Sequence, residues 1–296
     1  MLILSDRTLG IVAGITSSAV VGGISLVIQR QAHLLPATEI SFARGTVGLI
    51  GMLPFVWTHL SQLAQRGSSS LWVRAIAGAI SVVCFTWNLQ HTSVGMANML
   101  FDLSLLLLLA VGYLGGEVRL TSKLVWALIV IVVGCWAYWY GVNPSLSLKV
   151  VLTGIFGAVA ASVAYTAMKK AVRNMSPILI VWASCAATLP VSFITSFDDW
   201  VVPTLAGWVI LFLIGLGMLL SQFLLTVSFS RLPLPLASAL IPSSIVWSVF
   251  VEAVTSGEHA TPHAIAGTLL YALGICGLTA ESIRKPVKAQ TSLAGG

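Results

Sequence analysis

Residues 94–114 read VGMANMLFDLSLLLLLAVGYL. The stretch matches the ~20 residues that a helix needs to cross the hydrocarbon core of a bilayer. From Leu103 to Val111 only Ser104 interrupts the apolar run. A barrel strand would instead alternate apolar and polar residues over about ten positions. The segment therefore predicts a transmembrane α-helix. Runs of the same kind lie at 8–28, 36–57, 72–91, 122–141, 150–169, 177–197, 205–228, 234–255 and 262–280. With 94–114 they predict an all-α integral membrane protein of ten transmembrane helices. Composition agrees, since 57% of residues are hydrophobic and 8% are charged. Soluble domains carry about 25% charged residues. A soluble fold this apolar would expose greasy patches that soluble monomers avoid.

Orientation follows from the cations, because Lys and Arg concentrate in cytoplasmic loops. With a cytoplasmic N-terminus, the inner segments hold Arg7, Arg66, Arg74, Arg119, Lys123, Lys169, Lys170, Arg173, Arg231, Arg284, Lys285 and Lys288. The outer segments hold Arg30 and Lys149, and Arg44 lies inside a span. This bias supports both an even span count and cytoplasmic N- and C-termini. The net charge of +6 is then a topology signal rather than a nucleic-acid-binding surface, since the cations are scattered over many segments. Trp57, Trp72, Trp126, Trp136, Trp139, Trp200 and Trp208 fall near predicted span ends, where aromatic belts sit. Cys84, Cys135, Cys185 and Cys276 all lie inside spans and form no Cys-x-x-Cys, so they read as small packing residues. No cleavable signal peptide is expected, and the first span reads as an anchor.

The chain repeats itself. Pro36 and Pro177 open the second and seventh spans, Gly116-Glu117 and Gly257-Glu258 follow the fourth and ninth, and Cys135 and Cys276 sit in the fifth and tenth. Each pair is separated by 141 positions. Gly10-Ile11 recurs as Gly154-Ile155 at an offset of 144. The repeat unit is five helices, at 1–145 and 146–281, with a cytoplasmic tail at 282–296. Five is odd, so the second copy enters the membrane from the opposite side. Inverted repeats of this kind are a common plan among secondary transporters. A duplication kept only for packing is the alternative.

The stretch PATEISFAR at 36–44, with an arginine inside the second helix, Leu-Gly-Gly-Glu at 114–117, Ser-Gly-Glu at 256–258, and Gly134 and Gly274 in the last helix of each repeat carry a resemblance. In their order and spacing, over about residues 8–280, the chain resembles the drug/metabolite transporter superfamily, EamA type. The resemblance implies a secondary transporter in a bacterial cytoplasmic membrane, usually exporting small metabolites, amino acids or drugs. One departure stands out. Members often carry a proline about a dozen residues before each Gly-Glu, where this chain has Ser104 and Ile245, with Pro242 nearby. The fourth and ninth helices are therefore expected to be less kinked than usual.

Ionisable residues inside spans are costly and usually face the bundle interior or a water cavity. Arg44, Asp102 and Glu252 qualify. Arg44 lies eight residues after Pro36, and Asp102 eight after Val94. At 1.5 Å per residue both sit roughly 12 Å from the outer end, so a charge pair is expected to be within reach. Two readings stay open. In one, they line a central cavity, Arg44 binding a carboxylate or phosphate and Asp102 an amine or a proton. In the other, they form a static salt bridge. Asn98, one turn before Asp102 on the same face, serves as ligand donor or interhelical glue. Glu252, near the outer end of span nine, ranks below them. Trp87, Asn88, Tyr165, Gln222 and Trp247 are further cavity candidates, with core packing as the alternative for each. Small residues at Gly10, Gly14, Ser17, Ser18, Gly22 and Gly23, and at Gly154, Gly157, Ala160, Ala161 and Ala164, allow close helix approach. His259 and His263 have metal-compatible spacing but no evident third ligand, and a solvated loop is the better reading. The tail at 284–288 reads as a positive anchor.

The leading expectation is export of small polar or amphipathic metabolites by alternating access. Proton coupling through Asp102 is one form of it, since a buried carboxyl can load and release a proton. Expected partners are a small-molecule substrate and the lipid bilayer, with protons and a homodimer as further candidates. No nucleic acid, cofactor or metal is expected. An intramembrane enzyme is disfavoured, because the chain has no Gly-x-Ser-x-Gly, no His-Glu-x-x-His and no second aspartate at the depth of Asp102. ATP-driven transport lacks its Gly-x-x-x-x-Gly-Lys-[Ser/Thr] loop. A non-transporting receptor or scaffold is the third alternative.

Overall fold

The computed structural model describes residues 6–31, 33–64, 68–114, 121–142, 147–195, 200–256 and 261–284, and these are almost entirely helical. The helices are α1 (Asp6–Arg30), α2 (Ala37–Val56), α3 (Ser68–His91), α4 (Val94–Leu114), α5 (Ser122–Val142), α6 (Leu148–Ala171), α7 (Pro177–Thr195), α8 (Leu205–Arg231), α9 (Leu234–Leu240), α10 (Ser243–Ser256) and α11 (Pro262–Arg284). Eight are long and apolar enough to cross a membrane, and two shorter apolar stretches complete the expected ten spans. The tryptophans expected at span ends are exposed, among them Trp57 at 73% and Trp126 at 66%. Exposure of this kind is what rings in an interfacial aromatic belt require.

Local chemistry sets several boundaries. Pro36 precedes α2 in an extended conformation. The Ser147 and Thr204 hydroxyls accept the backbone N–H groups of Val150 and Gly207, capping α6 and α8. Past Pro54, α2 tightens into a 3₁₀ helix from Trp57 to Ala64, which carries the helical path beyond the span expected at 36–57. Gln62 of that turn accepts the Ser176 N–H at 2.9 Å and so tethers the start of α7.

The ninth span departs from expectation. It is broken into α9 and α10 at Ile241 and Pro242. Proline has no N–H for the ladder, so carbonyls are freed at the break. The Ser18 hydroxyl of α1 donates to the Leu240 carbonyl at 2.8 Å, and the Ser243 hydroxyl donates to the same oxygen at 2.7 Å. The fourth helix is continuous as expected, with Ser104 in its interior.

Packing between the two repeats is reciprocal. Helix α1 lies against α8 and α10, while its counterpart α6 lies against α3 and α4. The second helices, α2 and α7, pack on each other, and the last helices, α5 and α11, form the most extensive pair. Such reciprocity is what an inverted two-fold relation between five-helix units produces.

The small residues do the joining. A Cβ at Gly10 would meet Leu232, one at Gly14 would meet Leu240, and one at Gly157 would stand 2.9 Å from Cys84. At the α5–α11 crossing the approach is backbone to backbone. A Cβ on Gly134 would stand 2.6 Å from the Tyr271 nitrogen and 2.8 Å from the Gly267 oxygen. Without a hydrophobic drive between helices in lipid, such close contact supplies the association energy.

Apolar clusters close both ends. At the end where α1 begins, the expected cytoplasmic end, Val56, Leu71, Met168, Leu179, Phe229 and Leu236 form a buried core. At the other end Ile28, Ile40, Leu89, Val94 and Leu211 do the same. The polar interior lies between them.

Candidate functional site

Arg44 on α2 is half-buried and shares its electrostatic surroundings with Arg74 of α3, Tyr165 of α6 and Cys185 of α7. Its guanidinium makes no ion pair with any described residue; the one such pair among them joins Asp6 to Arg231. Arg74 is 4% exposed. Its Nη2 donates to Gln222 Oε1 on α8 at 2.8 Å, while its Nε is buried with no partner. Gly78, one turn further along α3, leaves the space that Arg74 Nη1 occupies, and a Cβ there would collide with it. Arg74 starts six residues after Ser68, roughly 9 Å into the helix. By lying over Gly78 its guanidinium reaches deeper, toward the level of Arg44. Tyr165 is 6% exposed, stacks on Phe229 with centroids 5.5 Å apart, and lies within electrostatic reach of both arginines and of Asp102.

Asp102 does not pair with Arg44. Its Oδ2 instead accepts the Tyr271 hydroxyl of α11 at 2.6 Å. Both groups are buried, at 7% and 1% exposure. Equal depth on two helices allowed the expected pair, but α4 turns Asp102 toward the α5–α11 side, and there the phenol meets it. The static salt bridge is therefore not the arrangement in this structure. Asn98 is fully buried; it donates to the Val94 carbonyl and accepts from Ser244 Oγ at 3.1 Å, beside the α9–α10 break.

The remaining candidates scatter. Trp87 stacks on His91 at 3.8 Å toward the outer end of α3, with the Lys149 ammonium 5.1 Å from its ring centre. Asn88 lines a narrow crevice with Cys84, Phe101 and Gly154, its Oδ1 buried and unpartnered. Trp247 is 36% exposed and meets Phe250 edge-on at 6.4 Å. The side chain of Glu252 and the residues Glu117, Glu258 and His259 lie outside the described residues. His263 rests edge-on against Tyr140. Among the described residues no three His, Cys, Asp or Glu side chains gather in a metal-holding group.

Of the residues singled out in the sequence, the structure therefore groups Arg44, Tyr165, Gln222 (through Arg74) and, through Tyr165, Asp102. Sequence reasoning misses Arg74, which was counted with the inner segments because it stands only two residues inside the third span expected at 72–91. Helix α3 starts four residues earlier, at Ser68. The signal was present as a glycine four positions after the arginine. It also misses Glu39, buried in the first turn of α2 facing the Val201 backbone, where an acid suits the helix N-terminus. Tyr271 carried no signal, since nothing local ties it to Asp102.

The arrangement is a set of charged and hydroxyl groups drawn from α2, α3, α4, α6, α8 and α11, enclosed between apolar clusters. It fits reversible binding of a polar solute. Comparison with known proteins gives the family. Over 225 residues the chain is 27% identical to the pseudopaline exporter CntI of Pseudomonas aeruginosa, covering 75% of this chain and 78% of that protein. It is 25% identical over 131 residues to the probable transporter vicT of Bipolaris victoriae, covering 43% of this chain and 37% of that one. A crystal structure at 19% identity superposes with a TM-score of 0.76 over 94% of this chain and 99% of that one, and shares the fold. The profile of the EamA-like transporter family matches residues 8–140 and again 148–280. The chain belongs to the EamA-like transporter family.

Proposed function

We propose that this chain exports a small polar or amphipathic metabolite by alternating access, with residues 1–145 and 146–281 as the two moving units. The observation that carries the reading is the enclosed polar cluster between two reciprocally packed repeats. The cost of burying Arg44, Arg74 and Asp102 is offset when the same space becomes a hydrated route for a solute. Two similar bundles of opposite orientation can exchange conformations, and the exchange converts an inward-open site into an outward-open one. The export direction is supported by the likeness to the pseudopaline exporter. The location is the bacterial cytoplasmic membrane with both termini cytoplasmic, supported by the cation distribution.

Arg44 receives an acidic group of the solute, and Asp102 loads and releases the coupling proton. Tyr271 orients the Asp102 carboxyl through its 2.6 Å hydrogen bond. The test is solute flux in proteoliposomes across an imposed pH gradient. Arg44→Ala is expected to abolish flux through loss of binding. Asp102→Asn is expected to abolish gradient-driven flux while sparing exchange of solute for solute. Full gradient-driven transport by Asp102→Asn refutes the proton role, and normal transport by Arg44→Ala refutes the binding role.

A further inference from the structure

Among the described residues, two arginines stand in the interior of this membrane protein without a carboxylate to neutralise either. Of the acidic side chains described, Asp6 is held by Arg231, Asp102 by Tyr271, and Glu39 lies in the first turn of α2 near Val201. Arg44 and Arg74 instead share one electrostatic neighbourhood with Tyr165 and Cys185. Like charges in one neighbourhood oppose each other, and an unpaired charge in a protein interior is strongly unfavourable. Arg74 is nevertheless built in deliberately. Gly78 clears its path, Gln222 fixes one of its nitrogens at 2.8 Å, and its Nε remains buried and unsatisfied.

We infer that Arg44 and Arg74 form a two-point anion receptor, and that the transported solute carries two negative charges. The inference rests on the transport reading above and names the substrate class for that site. Each guanidinium presents a planar fork that matches an oxyanion with two parallel hydrogen bonds. Gln222 takes up only Arg74 Nη2, leaving Nε free to donate. The Arg44 guanidinium is free of ion pairs among the described residues. A dianion entering between them cancels both charges and relieves their mutual repulsion, whereas a monoanion leaves one uncompensated. Tyr165, flanked by Phe229 at 5.5 Å, supplies a hydroxyl beside the pair. Gln222 is a positioning residue, acting on the solute through Arg74. The shared chemistry is a pair of oxyanion charges, from two carboxylates or from one phosphate monoester.

The experiment uses the full chain in lipid nanodiscs. Thermal unfolding is followed with succinate, glutarate and adipate, their monoamides, phenyl phosphate, and the diamine putrescine, since a ligand that prefers the folded state raises the midpoint. At least one dianion is expected to bind tenfold or more tightly than its monoanionic analogue. A dicarboxylate advantage assigns the two-carboxylate form, and a phenyl phosphate advantage assigns the phosphate form. Arg44→Gln and Arg74→Gln are each expected to erase the advantage of dianion over monoanion. Arg74→Lys, which keeps the charge and loses the fork, retains part of it. Should the glutamine variants fail to fold, the selectivity of the unaltered protein decides alone. If no dianion outperforms its monoamide, or if putrescine is the stabilising ligand, the inference is overturned. Proteoliposome flux of the same compounds separates the two proposals. Flux of cationic or neutral solutes with exclusion of dianions overturns the dianion inference and leaves transport standing. Tight dianion binding with no flux leaves the receptor standing and removes transport.

Discussion

The α5–α11 crossing permits a sharp comparison between two chemically identical substitutions. In Gly134→Ala the new methyl group would stand 2.6 Å from the Tyr271 nitrogen, 2.8 Å from the Gly267 oxygen and 3.0 Å from the Tyr271 Cα. All three are backbone atoms that cannot rotate aside. Ordinary contact begins at 3.4 Å, so the two helices must separate by about 0.8 Å locally. The same approach is used at Gly141, where a Cβ would stand 2.6 Å from the Ala264 nitrogen, and at Gly274, 3.0 Å from the Ala127 oxygen. Retreat at one point therefore loosens the seam along its length. Overpacking of this kind costs about 1–3 kcal/mol, and immovable backbone places it at the upper end. Alanine returns about 0.8–1 kcal/mol of helix propensity, leaving a net loss of about 2 kcal/mol. Gly23 has nothing within 4 Å of its Cβ position, so Gly23→Ala gains the propensity term alone. The two variants should differ by about 3 kcal/mol, more than 100-fold in the unfolding equilibrium. Titration from lipid micelles into denaturing detergent, followed by circular dichroism, measures the difference. Equal stabilities within about 0.5 kcal/mol, a typical additivity error, would refute the close-packed seam.

Three further outcomes follow from named contacts. Tyr271→Phe removes the hydrogen bond to Asp102; it should lower stability by about 1.5–3 kcal/mol, as for bonds to charged groups, and shift the pH profile of flux, and an unchanged profile would separate Tyr271 from coupling. Gln222→Leu strands the Arg74 guanidinium and should weaken solute affinity more than maximal rate, read as a rise in KM in proteoliposome flux. Ser18→Ala removes a donor from the Leu240 carbonyl at the α9–α10 break and should cost about 1 kcal/mol in the same detergent titration, whereas the exposed Val12→Ala should cost less.

Helix number, repeat order and the inverted plan were legible in the sequence because lipid imposes one strong rule: each span must be a long apolar helix that satisfies its own backbone. That rule reads length and hydrophobicity, and residues 94–114 obey it end to end. Finer features depend on contacts between distant segments. The Ile241–Pro242 break was marked by its proline, yet span length alone favoured a continuous helix. Arg74 was misplaced because a few polar residues at the start of α3, Ser68 to Ser70, look like loop. Asp102 was found as a buried charge, but its partner Tyr271 lies 169 positions away, and only the α4–α11 approach joins them. Equal depth predicted that Arg44 and Asp102 could meet; helix rotation, which depth does not encode, decided that they do not.

Alternation between the two closed ends is the claim on which transport rests, and paired distance measurements test it most directly. Spin labels at the exposed Thr58 and Lys170 report one end, and labels at the exposed His33 and Leu148 report the other. In nanodiscs, adding a binding solute or changing pH should widen the distribution at one end while narrowing it at the other. Single distributions that stay fixed at both ends under every condition would contradict the account.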